Sequence, residues 1–290
     1  MNALVMGGTG FIGKRLVDNL LKSGIDVTIA TSGRSKNPFG EKVRSIVINR
    51  FDPVDLEKKV SSLPDFDLVF DQICFGPDQA ESACRAFAGK VSHYVLTSTA
   101  SVYSEVKKAE WVESDFDDSK AAPGKGGMKE LGYAEGKRSA ESFFHRNAPF
   151  PFAAVRFPIV VGHDDVTGRF QFHVDRVREG RKIVIPEDCG KMNYVWVEDA
   201  GRFLAWIGVN GKTGPYNAAS SYVLDAEEIV ERIGRLTGKE PEVSRVGDEA
   251  DTTSYCFGAE HNVNSSKAEA EGFKFTPFEE WFPLEVKKLI

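Results

Sequence analysis

The stretch Gly7-Gly8-Thr9-Gly10-Phe11-Ile12-Gly13 follows an apolar run, Asn2–Met6, and precedes a segment whose apolar residues recur at helical spacing. The sequence therefore predicts a strand, a glycine turn and a helix in succession. The amino end of a helix has unpaired N–H groups and a partial positive charge, so it can hold a diphosphate where no Cβ atom blocks the approach. The pattern favours a dinucleotide site, with contacts from Gly7, Thr9, Gly10, Phe11, Ile12 and Gly13.

A bare tight turn that needs small residues for packing alone is the alternative to a cofactor site. The glycines at positions 7, 10 and 13 are spaced three apart, whereas the usual dinucleotide fingerprint has spacings of two and then three. The strand on one side and the helix on the other supply the context that this motif requires. We therefore expect a cofactor site.

Strand and helix patterns alternate over the first half of the chain. This alternation predicts an α/β fold, a Rossmann-type doubly wound parallel sheet with helices on both faces. Residues 104–132 interrupt it with a charged, glycine-rich segment, for which we expect a role as a substrate lid. The predicted strands are Asp26–Thr31, Val43–Ile48, Asp67–Phe70, His93–Ser98 and Phe152–Phe157, and the predicted helices are Pro53–Leu63, Asp78–Ala88 and Tyr133–Arg146.

The alternation loosens after residue 157, which is typical of a chain that begins a smaller second lobe. We expect residues 1–157 to form an NAD(P)-binding domain to which 193–217 return, and residues 158–192 and 218–290 to form a substrate-binding lobe. In the later part, helices are predicted at Phe170–Arg178 and Asp225–Leu236, and strands at Lys182–Ile185 and Tyr194–Val197; the segments Ser265–Glu271 and Phe278–Leu289 close the chain.

Composition limits the partners. The chain of 290 residues has a net charge of −6 and a pI near 5.5, which argues against nucleic acid, because neutralising phosphates needs an excess of Lys and Arg. No apolar run reaches membrane-spanning length and no secretion leader is recognisable, so we expect a cytoplasmic protein that does not enter membranes. Cys74, Cys84, Cys189 and Cys256 show no Cys-x-x-Cys spacing, and we expect them to be buried free thiols.

The end of the second predicted strand bears on the choice of dinucleotide. An NAD site usually places a carboxylate there for the ribose 2′-hydroxyl, whereas an NADP site needs room and positive charge for a 2′-phosphate. Here Thr31, Ser32 and Arg34 follow, and no acidic residue occurs until Glu41. This favours NADP, with NAD as the alternative cofactor and a solvated loop cation as the alternative role of Arg34. Asp52 is placed to meet the adenine or to cap the next helix.

Two Tyr-x-x-x-Lys pairs occur, Tyr103/Lys107 and Tyr133/Lys137. Only Tyr133 opens a segment with helical periodicity, on which residues four apart share a face. A neighbouring ammonium favours the ionised form of a phenol, which suits it to acid/base work. Thr99 and Ser101 follow the fifth strand, at the carboxyl edge where open α/β sheets bind ligands. We therefore predict catalytic roles for Tyr133, for Lys137 and for a hydroxyl at this strand end, against a capped strand end as the alternative for the hydroxyls.

The chain contains six motifs in this order: Gly7–Gly13, Tyr94–Tyr103, Tyr133-x-x-x-Lys137-Arg138, Val155–Pro158, Tyr194–Asp199 and Asn264–Lys267 with Gly272-Phe273. Together they resemble the extended short-chain dehydrogenases/reductases, the NAD-dependent epimerase/dehydratase group. The resemblance implies a Rossmann domain that binds NAD(P), a Thr99/Tyr133/Lys137 triad, and Pro158 and Ile159 near the nicotinamide. It further implies hydride transfer at a secondary alcohol or ketone carbon of a sugar-like or other small polar substrate, and it allows a homodimer formed through the helix that contains Tyr133.

Departures from the family pattern concern the substrate. Sugar-nucleotide members usually have asparagine where this chain has Ile159 and arginine where it has Met192, and both residues hold the nucleotide diphosphate. Methionine cannot supply the bidentate contact of an arginine. Ala100-Ser101 stand where the 4,6-dehydratases have acidic residues. These departures argue against a nucleotide-sugar substrate and against dehydration.

Two other functional classes are consistent with parts of the sequence. A non-catalytic NADP-binding regulator or RNA-associated protein on the same fold is one; the Tyr133/Lys137 pair and the acidic pI argue against it. A metal-dependent hydrolase is the other, and its candidate ligands would be His163, Asp164, Asp165 and His173. Their spacing does not match a recognised metal site, so no metal ligand set is predicted.

Overall fold

A computed structural model describes residues 1–257 and 260–290, and these residues form two compact units. The first unit comprises residues 1–106, 113–157 and 200–217, and the second comprises 107–112, 158–199 and 218–290. The strands in chain order are β1 (Asn2–Met6), β2 (Asp26–Thr31), β3 (Arg44–Val47), β4 (Phe66–Asp71), β5 (Val91–Thr99), β6 (Phe152–Phe157), β7 (Ile159–Val161), β8 (Ile183–Val184), β9 (Met192–Trp196), β10 (Gly214–Asn217), β11 (Val223–Leu224) and β12 (Val243–Ser244).

The helices carry the remaining regular structure. They are α1 (Phe11–Lys22), α2 (Pro53–Ser61), α3 (Pro77–Ala86), α4 (Met128–Leu131), α5 (Tyr133–Asn147), α6 (Arg169–Glu179), α7 (Val197–Val209), α8 (Ala226–Thr237), α9 (Ser266–Ala270) and α10 (Phe278–Lys287). No helix among the described residues has the length and apolar character needed to cross a bilayer.

The first unit is built on a parallel sheet of seven strands in the order β10-β6-β5-β4-β1-β2-β3. The predicted α/β fold with a doubly wound parallel sheet is confirmed. β1 is buried on both faces, which explains its unbroken apolar run. Strand β10 is not predicted from the sequence, because Gly214 and Pro215 disfavour a strand; at the sheet edge, where β10 pairs with β6 on one side, proline is tolerated.

Helices cover both faces of this sheet. Apolar residues of α2, α3 and α5 form one core with the strands, in which Leu56, Ala80 and Phe144 are fully buried. α1 and α7 lie together on the other face, where Gly201 allows the backbone of α7 to approach Arg15. This arrangement places the carboxyl ends of β1, β4 and β5 side by side at one edge.

The second unit has a three-stranded sheet, β11-β9-β7, and a two-stranded sheet, β12-β8. Helices α6, α8 and α10 enclose an aromatic core in which Trp281 lies 4.9 Å from Phe278 and Phe170 lies 5.7 Å from Phe282, measured between ring centroids. Helices α6 and α8 correspond to the helices predicted from the sequence at Phe170–Arg178 and Asp225–Leu236.

Cys189 and Cys256 form a disulfide within the second unit, so the expectation of four free thiols is wrong for this pair. The two residues are 67 apart in sequence, and they meet because the segment after residue 251 runs beside β8 and β9, with bridges at Thr252 and His261. Spacing alone gives no sign of this pairing. Cys74 and Cys84 are free and buried, and burial raises the pKa of each thiol to about 12.

The segment for which the sequence analysis expected a lid is fixed to α5 over part of its length. Gly124 N donates to Ser139 Oγ at 2.8 Å, and the Arg146 guanidinium donates to the carbonyl of Ser119 at 3.0 Å and that of Ala121 at 3.1 Å. Asp118 lies 3.3 Å from the His145 ring on the same helix. Residues 118–124 are therefore held by side chains of α5.

Candidate active site

The turn between β1 and α1 shows why two of its glycines are required. Gly7 has a φ of 84°, a conformation that residues with a Cβ rarely adopt, and its N–H donates to Ala30 O at 3.1 Å. A Cβ on Gly13 would collide with the carbonyl oxygen of Gly7, so the third glycine lets the helix start close to the strand. Both requirements come from the fold itself.

Gly10 is less confined than Gly7 and Gly13. Among the described residues, a Cβ at this position would lie within 4 Å of Gly7 O alone, at 3.2 Å, which is a tight contact but not a collision. Gly10 is also the N-cap of α1, which has no side-chain cap and no acidic residue in its first turn. The exposed amino end of α1 thus presents N–H groups to which an anion can bind, and the small residue keeps the approach clear.

The end of β2 is open and lacks a carboxylate. Thr31 Oγ1 accepts a hydrogen bond from Gly33 N at 3.1 Å, and Ser32 and Arg34 are exposed. Within residues 1–257 and 260–290, the Arg34 guanidinium has no hydrogen-bond or ion-pair partner. Its charge is therefore available to a ligand at this strand end.

Asp52 has the local role that the sequence analysis gave as one of its two alternatives. Its carboxylate accepts from Val54 N at 2.9 Å and from Asp55 N at 3.3 Å, which caps the amino end of α2. A contact of Asp52 with the adenine stays a prediction.

Lys137 places an ammonium at the carboxyl edge of the sheet. The side chain is buried, and Nζ donates to Cys74 O at 2.6 Å and to Thr97 O at 2.8 Å. Nζ also lies 4.6 Å from the centroid of the Phe75 ring. An ammonium has three donors, so these two carbonyls leave one for a ligand. The contacts join the segment after β4 to β5, where open α/β sheets bind their ligands.

Tyr133 is the first residue of α5 and lies one helical turn before Lys137. Its side chain is 47% exposed, and it makes no hydrogen bond to the described part of the chain. Tyr103 is fully buried: its hydroxyl donates to Asn217 at 2.7 Å and accepts from Arg156, and burial raises its pKa. Of the two tyrosines in Tyr-x-x-x-Lys pairs, Tyr133 alone is accessible to a substrate.

Thr99 is the last residue of β5 and is mostly buried. Its Oγ1 accepts from Ser101 N and donates to Ser101 Oγ, both at 3.2 Å. The preceding residue, Ser98, points to the other face and donates to buried Glu141, as alternation along a strand requires. The strand end and α5 thus bring Thr99 and Lys137 to the same sheet edge, while Ser98 serves the core.

Two functional features were missed by sequence reasoning. The carbonyls of Cys74 and Thr97, which hold the ammonium of Lys137, leave no trace in residue identity. The close approach of α5 to the chain after β4 is visible in the sequence as Gly136. This glycine lies inside a helix, and a Cβ there would collide with Phe75 O. A glycine in a helix interior is destabilising and often marks such an approach.

A buried network behind the site was also missed. Arg156 on β6 pairs with Glu141 on α5 at 2.6 Å, and both side chains are fully buried. Arg156 further donates to the Tyr103 hydroxyl at 2.8 Å and to Glu113 O at 2.8 Å. Arg156, the arginine of the Val155–Pro158 motif, therefore has a structural role in the first unit.

The remaining candidate residues lie in the second unit. Pro158 precedes β7, and Ile159 is its first residue, 6% exposed. Met192, at the start of β9, is fully buried in the core of that unit. A contact of Pro158 and Ile159 with the nicotinamide stays a prediction.

The side chains of the alternative metal site have other partners. His173 donates from Nδ1 to Arg169 O at 2.7 Å and accepts at Nε2 from Thr253 at 2.6 Å. His163 bonds to Glu285 at 2.8 Å, and Asp165 accepts from Thr167. Within the described ranges, no three His, Cys, Asp or Glu side chains are grouped so that they could hold a metal ion.

Comparison with known proteins supports the resemblance. The model of the NAD dependent epimerase/dehydratase family matches residues 3–83, which run from β1 into α3. No curated protein sequence matches the chain. The predicted resemblance to the extended short-chain dehydrogenases/reductases is confirmed for this segment.

Solved structures share the fold over the whole chain. A UDP-glucose 4-epimerase of Thermus thermophilus, in complex with NAD, has 18% identity and a TM-score of 0.73, over 100% of this chain and 99% of that one. A putative epimerase of Burkholderia cenocepacia has 17% identity and a TM-score of 0.78, over 99% and 97%. A dTDP-glucose 4,6-dehydratase of Bacillus anthracis in complex with NAD has 18% identity and a TM-score of 0.77, over 99% and 96%.

Proposed function

We propose that this protein is an NAD(P)-dependent oxidoreductase or epimerase that transfers a hydride at a secondary alcohol or ketone carbon of a small polar substrate. One observation carries the proposal: the ammonium of Lys137 is fixed at the carboxyl edge of the sheet, one helical turn from the exposed phenol of Tyr133. The family model, matched over residues 3–83, and the fold of NAD-containing epimerases support it.

The glycine turn fits a dinucleotide diphosphate. The N–H groups at the uncapped start of α1 would bind its oxygens, and Gly10 would leave room for them. Thr9, Phe11 and Ile12 complete the surface around the turn. When bound, the dinucleotide supplies the hydride donor or acceptor.

The polar groups at the sheet edge would divide the remaining tasks. Lys137 would use its third donor to hold ribose hydroxyls, and its charge would favour the ionised form of Tyr133. Tyr133 would move the proton to or from the substrate oxygen. Thr99 would hydrogen-bond that oxygen and fix its position. General acid–base catalysis of this kind contributes about 10²- to 10⁴-fold to a rate.

NADP is the dinucleotide that the end of β2 favours. Thr31 and Ser32 leave space where a carboxylate would repel a 2′-phosphate, and Arg34 offers an unpaired charge. Two of the similar solved structures named above contain NAD, so the direct comparison of NADP+ with NAD+ is decisive. We expect Arg34→Ala to weaken NADP+ binding more than NAD+ binding.

The substrate we propose is sugar-like or otherwise small and polar, without a nucleotide diphosphate. The position where sugar-nucleotide members usually have an arginine holds Met192, which is buried in an apolar core and can bind no phosphate. The proposed class therefore contains free sugars, their simple derivatives and other small hydroxy or keto compounds.

The test is a turnover screen with such compounds and both dinucleotides, followed by Tyr133→Phe. We expect this variant to bind the dinucleotide as wild type does and to lose at least about 100-fold in kcat, because only the proton donor is removed. Tyr222→Phe is the matched control, since Tyr222 is another exposed tyrosine, 41% accessible, in the second unit. Full activity of Tyr133→Phe would overturn the mechanism, and dinucleotide binding without turnover on any compound would favour a regulator on the same fold.

A further inference from the structure

A glutamine side chain lies directly against the glycine turn. Gln72 follows β4, and its N–H donates to Met6 O at 3.1 Å, which continues the pairing of β4 with β1. A Cβ placed on Gly7 would lie 3.0 Å from the Cβ of Gln72 and 3.6 Å from its Cγ. The side chain therefore covers the turn from the side of β4.

The amide nitrogen of this side chain lacks an acceptor. Gln72 Nε2 is buried, and in residues 1–257 and 260–290 nothing accepts a hydrogen bond from it. A buried polar group without a partner destabilises a fold, so such a group needs an explanation.

We propose that Gln72 is a dinucleotide-binding residue whose amide N–H donates to a diphosphate oxygen of the cofactor at the glycine turn. This inference rests on the proposed function, because it takes the turn as the diphosphate site. The diphosphate supplies the acceptor that the protein lacks, and a bond to an anionic oxygen is stronger than one between neutral groups. A cofactor-free structure then carries the cost of the unpaired amide, and binding removes it.

The inference predicts effects of opposite sign from one substitution. Gln72→Met keeps the length of the side chain and removes its polar atoms. Without the dinucleotide, we expect this variant to melt about 2 °C higher than wild type or more, because no buried donor is left unpaired. Its affinity for NADP+ should fall about tenfold, because the hydrogen bond to the diphosphate is lost. A residue with a purely structural role would not move stability and affinity in opposite directions.

A second variant and a second ligand locate the contact. Gln72→Glu places a carboxylate beside the diphosphate, so we expect a larger loss of NADP+ affinity than in Gln72→Met. ADP contains the diphosphate but no nicotinamide, and we expect its affinity to fall by the same factor as that of NADP+. A loss confined to NADP+ would place the contact elsewhere on the cofactor and overturn the assignment.

Tyr194→Phe is the matched control. The Tyr194 hydroxyl on β9 is also buried without a hydrogen-bond partner in the described part of the chain. Its removal should raise the melting temperature in the same way and leave the affinity for NADP+ unchanged. The control therefore shows whether removing an unpaired buried polar atom changes the melting temperature alone or also changes the affinity for NADP+.

The measurements are calorimetric titration with NADP+ and ADP and thermal melting of the cofactor-free variants. If Gln72→Met binds both ligands as wild type does, or if it melts lower while binding more weakly, the inference about Gln72 fails and the proposed function stands. If wild-type protein binds neither NADP+ nor NAD+, the proposed function fails and this inference with it. The two failures are therefore distinguishable.

Discussion

The buried pair formed by Glu141 and Arg156 should stabilise the first unit strongly, and Glu141→Gln tests this. The Arg156 guanidinium donates to the carboxylate at 2.6 and 3.0 Å, and neither side chain is exposed. Burial opposes the charged form of Arg156, but the attractions and hydrogen bonds of Glu141 and Tyr103 together outweigh it and raise the pKa of the guanidinium. The substitution removes the carboxylate charge and leaves the arginine charged.

The size of the effect follows from what remains around the guanidinium. Breaking a buried pair on one side typically costs about 3–5 kcal/mol, because a buried charge loses its compensation. Arg156 keeps its bonds to the Tyr103 hydroxyl at 2.8 Å, Glu113 O at 2.8 Å and Phe116 O at 3.2 Å. These three acceptors remain, so we expect a loss near the lower end, about 3 kcal/mol in the free energy of unfolding.

Urea unfolding at neutral pH measures this loss. The control is Glu81→Gln, which makes the same chemical change in an exposed pair with Arg85 at 2.9 Å and should cost less than about 1 kcal/mol. The double variant Glu141→Gln/Arg156→Met should lose less than the sum of the single variants, because the second change removes the uncompensated charge. If the free energy of unfolding of Glu141→Gln lies within about 1 kcal/mol of the wild-type value, the pair does not stabilise the first unit as proposed and the reasoning is refuted.

Two further predictions concern the second unit. The pKa of buried His173 is lowered to about 4, because burial disfavours its charged form. In the unfolded chain the His173 ring binds a proton near its ordinary pKa of 6.5, whereas in the folded protein it does so only near pH 4. The contribution of neutral His173 to the free energy of unfolding is therefore fully present above pH 6.5 and is lost as the pH falls towards 4. Between about pH 7 and pH 5 we expect a loss of about 2 kcal/mol that His173→Asn abolishes in urea titrations; an unchanged slope would contradict it. Reduction of the Cys189–Cys256 disulfide opens a loop closed over a separation of 67 residues, and chain entropy sets the expected loss at about 4 kcal/mol. The double variant Cys189→Ser/Cys256→Ser should match the reduced wild type in thermal melts and should not respond to reductant; equal melting of reduced and oxidised protein would contradict the prediction.

The parallel sheet could be predicted because its strands are recognisable from local sequence. A central strand such as β1 is apolar throughout, and its glycine turn and helix follow within a few residues. β10 could not be predicted, because Gly214 and Pro215 oppose strand formation and only the position at the edge beside β6 makes them acceptable. The strand and helix propensities of local segments therefore predict the order of the main elements. Strand β10 is the exception, because its formation depends on its position in the folded sheet.

The candidate site likewise has features that local sequence predicts and features that depend on tertiary contacts. The residues Tyr133 and Lys137 could be proposed from their spacing on a helix, but the acceptors of Lys137 are backbone carbonyls, which any sequence would provide. The partner of Cys189 was equally hidden, because pairing with Cys256 depends on a segment that runs beside β8 and β9. Spacing shows which side chains share an element, and contacts between distant segments have to be seen in the structure.

The double role of Lys137 determines which experiment can establish the chemistry. Its ammonium joins the segment after β4 to β5 through two carbonyls, so its removal would leave buried acceptors unpaired and loosen the sheet edge that also carries Thr99. Loss of activity in a Lys137 variant would therefore follow from either role. The side chain of Tyr133 is half exposed, and its hydroxyl makes no hydrogen bond to the described part of the chain. Tyr133→Phe therefore removes one oxygen atom and no hydrogen bond within the protein. The proposal of hydride chemistry with proton transfer consequently depends on the kcat of Tyr133→Phe, and a Lys137 variant is informative only after its stability has been measured.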